Sequence, residues 1–144
     1  MGFLVRRMRA TDIPAIAGLS EKYFPLARID EGEVRRRTSG GVAYLVAEED
    51  GQVVGFVGGK LRGRDGRISG IAVSPAYERR GIGSALLERA TAFARENGRG
   101  SLSLLVKEYN VKAVRFYTSH GFSLKAAKPG KDGGVLLLWR GIEN

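Results

Sequence analysis

The chain has 144 residues, of which 43% are hydrophobic and 27% charged. This composition predicts a single soluble domain, residues 1–144, and no apolar run reaches the roughly 18 residues that a membrane helix needs. The sequence has one histidine and no cysteine, so we predict no disulfide, no thiolate nucleophile and no metal site, and we expect a cytoplasmic protein.

The charge is strongly basic, with a formal net value of +9 and a pI of about 10.3. Such a charge suits either nucleic acid or a polyanionic cofactor as partner. The basic residues are scattered, and no predicted helix carries a full basic face. The scatter favours the cofactor over nucleic acid.

The chain opens with a predicted strand and two helices. Residues 3–9 alternate apolar and basic side chains, as a strand does. Thr11 or Asp12 caps the helix that follows. The apolar tetrad at residues 23–26 breaks this helix and either packs in the core or forms the lip of a substrate site. A second, largely polar helix over residues 30–38 is predicted to lie on the surface.

Three further strands are predicted to complete an antiparallel meander. An Asp-Gly pair at residues 50–51 is a hairpin signal between strands at residues 42–48 and 53–60. Three glycines in the second of these strands indicate a bulge or a close backbone approach. The next strand, residues 67–73, ends before Pro75, because proline cannot donate to the sheet ladder.

The turn after this strand predicts an anion site. Gly81 and Gly83 leave the backbone bare where a helix begins with unpaired N–H groups, and Arg79 and Arg80 add positive charge. The ligand expected there is a phosphate or pyrophosphate. Within the helix, apolar residues at helical spacing oppose a predicted polar stripe of Ser84, Glu88, Thr91 and Arg95.

Two common nucleotide motifs do not fit this turn. A dinucleotide fingerprint needs a third glycine where Leu86 stands. A Walker A loop needs a Lys-Ser/Thr pair, and in the other glycine-rich stretch Lys60 is followed by Leu61.

The second half of the chain predicts a parallel crossover and a closing hairpin. The helix after the turn ends near residues 97–98, and the strand beyond it lies one helix away from the strand at residues 67–73. The elements predicted there are a strand at residues 101–107, a helix at residues 111–120 capped by Asn110, and strands at residues 122–126 and 135–140.

Two motifs together resemble the GCN5-related N-acetyltransferase (GNAT) family: the turn Arg-Arg-Gly-Ile-Gly-Ser at residues 79–84, and Asn-x-x-Ala-x-x-x-Tyr-x-x-x-Gly-Phe at residues 110–122. The resemblance covers nearly the whole chain in element order. It implies an α+β fold with a mixed, mostly antiparallel seven-stranded sheet and helices on both faces. Acyl-CoA would lie in the gap between two splayed parallel strands.

The resemblance also implies site residues. The backbone of Ile71, Ala72 and Val73 would bond the acetyl carbonyl and the pantetheine arm, and Asn110 would contact the cofactor nearby. Tyr117 would protonate the departing CoA thiolate, unless it is an ordinary core tyrosine. The pyrophosphate would be cradled by the amides of Arg79, Arg80, Gly81, Ile82, Gly83 and Ser84.

Two positions depart from the family pattern. Glu78 stands where many relatives carry Gln or Arg. Leu105 stands where the ribosomal-protein N-terminal acetyltransferases carry a glutamate as general base, so the base is left unassigned. His120, at a helix C-terminus, is interpreted as structural.

The resemblance implies an acetyl-CoA-dependent N-acetyltransferase that needs no metal and transfers the acetyl group directly to a primary amine. The acceptor is a small molecule, or a peptide or protein N-terminus or lysine. The alternative is a non-catalytic module on the same fold that senses acyl-CoA or binds RNA. A homodimer is left open.

Overall fold

Seven strands form one mixed sheet in the computed structural model, which describes residues 2–143. The strand order is β1-β2-β3-β4-β5-β7-β6, and β4 with β5 is the parallel pair among otherwise antiparallel neighbours. The predicted meander and the predicted crossover are both present. The strands are β1 (Leu4–Arg7), β2 (Ala43–Glu49), β3 (Gln52–Arg62), β4 (Asp65–Val73), β5 (Ser101–Lys107), β6 (Ser123–Lys128) and β7 (Val135–Gly141).

Four α-helices cover the two faces of the sheet. They are α1 (Ile13–Tyr23), α2 (Glu31–Ser39), α3 (Ile82–Glu96) and α4 (Val111–Ser119). Every predicted element is found, with ends that differ by about two residues at most, and the predicted fold class is confirmed. Among residues 2–143, no helix is long and apolar enough to cross a membrane.

Each face has its own core. The face under α3 and α4 buries Leu86, Tyr117 and Leu138, and the face under α1 and α2 buries Ile16 and Phe56. The amphipathic pattern of the helices places Ile16, Leu86 and Tyr117 inward, and strand alternation places Phe56 and Leu138 there.

One predicted polar residue of α3 lies in the core. Thr91 was assigned to the polar stripe, yet it is buried. Its hydroxyl donates to the carbonyl of Leu87 at 2.8 Å, which satisfies the group without water.

The parallel strands stay together for only four residue pairs. β4 and β5 pair from Asp65 with Ser101 to Ile68 with Leu104, and then separate. At that point the register between β3 and β4 shifts at Gly58, as the glycines predicted. Beyond the separation, β4 stays paired with β3 and β5 stays paired with β7. The gap therefore opens within the sheet, which remains continuous on both sides of it.

Candidate active site

A cleft of about 530 Å³ fills the gap between the parted strands. Its walls come from β4, β5, the turn before α3 and the first turns of α4, with the end of α1 at one side. The topology therefore brings together the two motifs that the sequence singled out. Of the predicted site residues, Arg80 alone does not line the cleft.

The first turn of α3 forms one wall of the cleft. Gly81 takes a left-handed conformation with φ +80°, which glycine adopts without strain, and no side chain caps the helix. The N–H groups of residues 82–84 are therefore left without the intrahelical partners that later residues have. Backbone amides at a helix N-terminus favour an anion.

The two adjacent arginines have different roles. Arg79 lines the cleft and has a left-handed φ of +63°. The guanidinium of Arg80 turns to the buried carboxylate of Glu49, 2.6 Å away, and lies over the ring of Tyr77. Arg80 thus ties the turn to the end of β2, and its side chain does not face the predicted phosphate site.

Successive residues of β4 point their backbone N–H and C=O groups alternately toward β3 and toward the gap. The N–H of Ser74 donates to the carbonyl of Val54 on β3, so by strand alternation the backbone of Ala72 also faces β3. The backbones of Ile71 and Val73 face the gap. Two of the three predicted β4 residues therefore direct backbone groups into the gap, where no strand within residues 2–143 pairs with them.

Tyr117 combines a buried ring with a hydroxyl at the cleft. Its side chain is 7% exposed and packs edge-on against Phe116 and Phe122. The hydroxyl forms no hydrogen bond within residues 2–143 and is not fully enclosed, and the residue lines the cleft, so the hydroxyl is directed to the cleft side. Burial raises the pKa of Tyr117, which keeps the phenol protonated at neutral pH.

Asn110 closes the first turn of α4. Its side-chain oxygen accepts from the N–H of Ala113 at 3.2 Å, and the residue also lines the cleft. The predicted cap is therefore confirmed. A contact between Asn110 and a cofactor stays a prediction.

Glu78 bridges the mouth of the cleft. Its carboxylate accepts from the Lys112 ammonium at 2.8 Å and from the Tyr23 hydroxyl at 3.2 Å. The lysine and then the tyrosine hold the pKa of Glu78 below its usual value, while burial and Glu78 raise the pKa of Tyr23. The acidic residue that departs from the family pattern is thus balanced by its neighbours.

The opposite end of the cleft is apolar. Phe24 lies so close to β4 that a Cβ on Gly70 would come 2.9 Å from its ring. Leu105 stands across the gap with 57% of its surface exposed. Of the tetrad at residues 23–26, Tyr23 and Phe24 pack against the core and also line the cleft, while Leu26 is 92% exposed; a role as the lip of a substrate site stays a prediction. We call Phe24, Gly70 and Leu105 the apolar end.

Three residues shape the site through contacts that sequence reasoning did not predict. Phe116 packs where a Cβ on Gly83 would meet its ring at 3.4 Å, His120 bonds to Ser84, and Glu49 receives Arg80. The aromatic pair before the motif glycine was a signal for Phe116. No local sequence pattern pointed to His120 or Glu49, because their partners lie 36 and 31 residues away along the chain.

The parallel strands part beside an uncapped helix start, which is the arrangement that the resemblance to the GNAT family predicted. The chain belongs to the Acetyltransferase (GNAT) family, whose sequence model matches residues 13–122. The predicted resemblance is confirmed, and acetyltransferase is the enzyme class of that family.

The chain is similar to acetyltransferases with different acceptors in their names. It is 31% identical over 126 residues to the streptothricin acetyltransferase of Streptomyces lavendulae, covering 85% of this chain and 64% of that protein. It is 36% identical over 91 residues to the mycothiol acetyltransferase of Propionibacterium freudenreichii, covering 60% of this chain and 29% of that protein. The chain thus spans less than two thirds of either relative.

Solved structures share the whole fold. Ard1 from Thermoplasma volcanium superposes with a TM-score of 0.85 at 27% identity and covers 100% of both chains. The PaiA N-acetyltransferase from Thermoplasma acidophilum, solved in complex with coenzyme A, superposes with a TM-score of 0.81 at 18% identity over 98% of this chain and 99% of the other.

Proposed function

We propose that the chain transfers an acetyl group from acetyl-CoA directly to a primary amine. One observation carries this proposal: β4 and β5 part beside the uncapped start of α3, and the Tyr117 hydroxyl reaches the gap between them. Anion site, free strand backbone and proton donor thus line one cleft.

The residues present suit an acyl-CoA. The amides of residues 82–84 and the side chain of Arg79 would hold the pyrophosphate, since charge-assisted bonds to backbone N–H are strong. Gly83 has no side chain, so the space between its backbone and the ring of Phe116 stays open at this wall of the cleft. The free backbone groups of Ile71 and Val73 would hold the arm and the acetyl carbonyl, where a fixed N–H stabilises developing negative charge.

Tyr117 would act as the general acid. The amine nitrogen bonds to the acetyl carbon, the carbon–sulfur bond breaks, and the phenol gives its proton to the sulfur. A free thiol has a pKa of about 8.5, so a protonated phenol near the sulfur assists this departure. The proton lost by the amine passes to water, and Tyr117 regains its own from solvent.

The acceptor would enter at the apolar end in its neutral form. The carboxylate that lines the cleft, Glu78, is bonded to Lys112 and Tyr23, and the same contacts lower its pKa. A peptide α-amine has a pKa of about 7.7–8.0 against about 10.4 for lysine, so far more of it is neutral near pH 8. We therefore favour an acceptor with a weakly basic amine among the small-molecule and peptide classes.

The test is release of CoA thiol from acetyl-CoA with a panel of amines. The panel contains a dipeptide with a free α-amine, an N-blocked lysine, a polyamine and streptothricin, the acceptor in the name of one relative. Because the chain has no cysteine, the thiol signal comes from CoA alone. We expect turnover and an acetylated product, with the α-amine ahead of the blocked lysine. Tight CoA binding without turnover on any amine would favour the non-catalytic module.

The remaining sequence predictions are a cytoplasmic location, a single domain over residues 1–144, little affinity for nucleic acid, and a homodimer as one alternative. Gel filtration with light scattering decides the oligomeric state.

A further inference from the structure

His120 connects the end of α4 to the start of α3. Its Nε2 lies 2.8 Å from the Ser84 hydroxyl, and its Nδ1 lies 2.7 Å from the carbonyl of Phe116. Ser84 is in the first turn of α3 and lines the cleft. The imidazole therefore contacts Ser84, a residue of the proposed phosphate site.

The contacts of His120 determine where its proton sits. A carbonyl oxygen can only accept, so Nδ1 carries the hydrogen that is donated to Phe116. In the neutral ring Nε2 then carries no hydrogen, and it accepts a hydrogen bond from the Ser84 hydroxyl. The ring of Phe116 lies 4.5 Å from the imidazole, centroid to centroid, and holds this orientation.

Protonation of His120 reverses the bond to Ser84. Nε2 then donates to the serine oxygen, and the hydroxyl hydrogen is released toward another acceptor. At the same time a positive charge is added beside an anion site. Both changes favour a phosphate at the start of α3.

We propose that His120 is a positioning residue that couples proton uptake to the binding of the CoA pyrophosphate, through the hydroxyl of Ser84. This inference rests on the proposed function, since it assigns the pyrophosphate to the start of α3. By reciprocity, a bound pyrophosphate favours the protonated imidazole as much as the protonated imidazole favours the pyrophosphate.

The charged groups on the elements around His120 have opposite signs. α3 carries Glu88 one turn beyond Ser84, and β7 carries Arg140, whose side chain lies 3.5 Å from the position of a Cβ on Gly121. Neither forms a hydrogen bond to His120 within residues 2–143. The remaining polar neighbour is the hydroxyl of Ser119, 3.2 Å from Nδ1.

The chain has one histidine, so binding measured between pH 5.5 and 8 is measured with a single imidazole present. The probe is dephospho-CoA, because the 3′-phosphate of CoA would titrate in the same range. Couplings of this kind change affinity about 5- to 150-fold, and one partly exposed cation belongs at the low end. We expect dephospho-CoA to bind about fivefold more tightly at pH 5.5 than at pH 8.

The matched variants are His120→Gln, which can still hydrogen-bond to Ser84 but does not titrate, and Ser84→Ala. We expect a flat pH profile for the first and a reduced slope for the second. The NMR signal of the His120 Cε1–H should titrate with a higher midpoint in the presence of dephospho-CoA.

An equal slope in wild type and His120→Gln, or an unmoved NMR midpoint, overturns the coupling while leaving the acetyltransferase proposal intact. Absence of dephospho-CoA binding at every pH overturns both. A purely structural role of His120 would change the melting temperature of the variant but not the slope of its affinity with pH.

Discussion

α3 and α4 both begin at the cleft, and their first turns are completed in different ways. Asn110 caps α4 with its own side chain, whereas Gly81 has no side chain and leaves the first amides of α3 uncapped. Under the proposed function, this difference gives the two helices different roles. α3 offers N–H groups to an anion, and α4 is closed internally and presents Tyr117 to the gap.

The largest effect is expected from removing the proposed general acid, Tyr117 on α4. Tyr117→Phe deletes the hydroxyl and keeps the ring packed between Phe116 and Phe122. General acids typically contribute about 10²–10⁴-fold, so kcat should fall within that range while the Kd for CoA stays unchanged. Stopped-assay kcat and a CoA titration measure the two quantities.

The pH profile provides the control for Tyr117→Phe. The raised pKa of Tyr117 keeps the wild-type acid protonated through neutral pH, so no loss of rate from the phenol is expected until strongly alkaline pH. Wild-type turnover in a stable Tyr117→Phe protein would remove this residue from the mechanism.

The start of α3 is tested by Gly81→Val. A β-branched residue at φ +80° costs about 1–2 kcal/mol and displaces the turn, so CoA affinity should fall about tenfold. Calorimetric titration measures the affinity. Gly63→Val is the matched control, because Gly63 also has a positive φ and open space around it but lies in the turn between β3 and β4. If both variants bind CoA equally well, the start of α3 is not the phosphate site.

The start of α4 is tested by Asn110→Ala. Loss of an N-cap costs about 0.5–2 kcal/mol, so the melting temperature should fall. Asn110→Ser retains a capping oxygen and should recover most of the loss. A drop in CoA affinity that is the same in both variants would show that the amide itself contacts the ligand.

The smallest effect is expected from Glu78, which links the starts of α3 and α4 through its bond to Lys112. Glu78→Gln removes the carboxylate that bonds Lys112, and an exposed ion pair contributes at most about 1 kcal/mol to the free energy of unfolding. Because Lys112 and Tyr23 lower the pKa of Glu78, its charge, and whatever the pair contributes to stability, are present at neutral pH and lost as pH falls through that lowered pKa.

Removal of this negative charge should tighten CoA binding modestly at low salt and hardly at all at high salt, because exposed charges are screened. A titration at two ionic strengths decides. Weaker binding in Glu78→Gln would mean that the bridge supports the site and does not oppose the phosphate.

The sequence by itself determined the order and type of the elements and the family. Helical spacing, the Asp50-Gly51 turn and the Asn110 cap are local properties, and each element formed where its own residues predicted it. The two motifs were readable for the same reason. Each is a short segment whose glycines and polar residues act on its own backbone.

The tertiary structure alone decided which atoms face the cleft. Arg79 and Arg80 are adjacent and chemically alike, yet Glu49 draws one of them away. His120 meets Ser84 from 36 residues away. For Arg80 and Ser84 the direction of the side chain is set by a partner from a distant segment, which no local pattern contains.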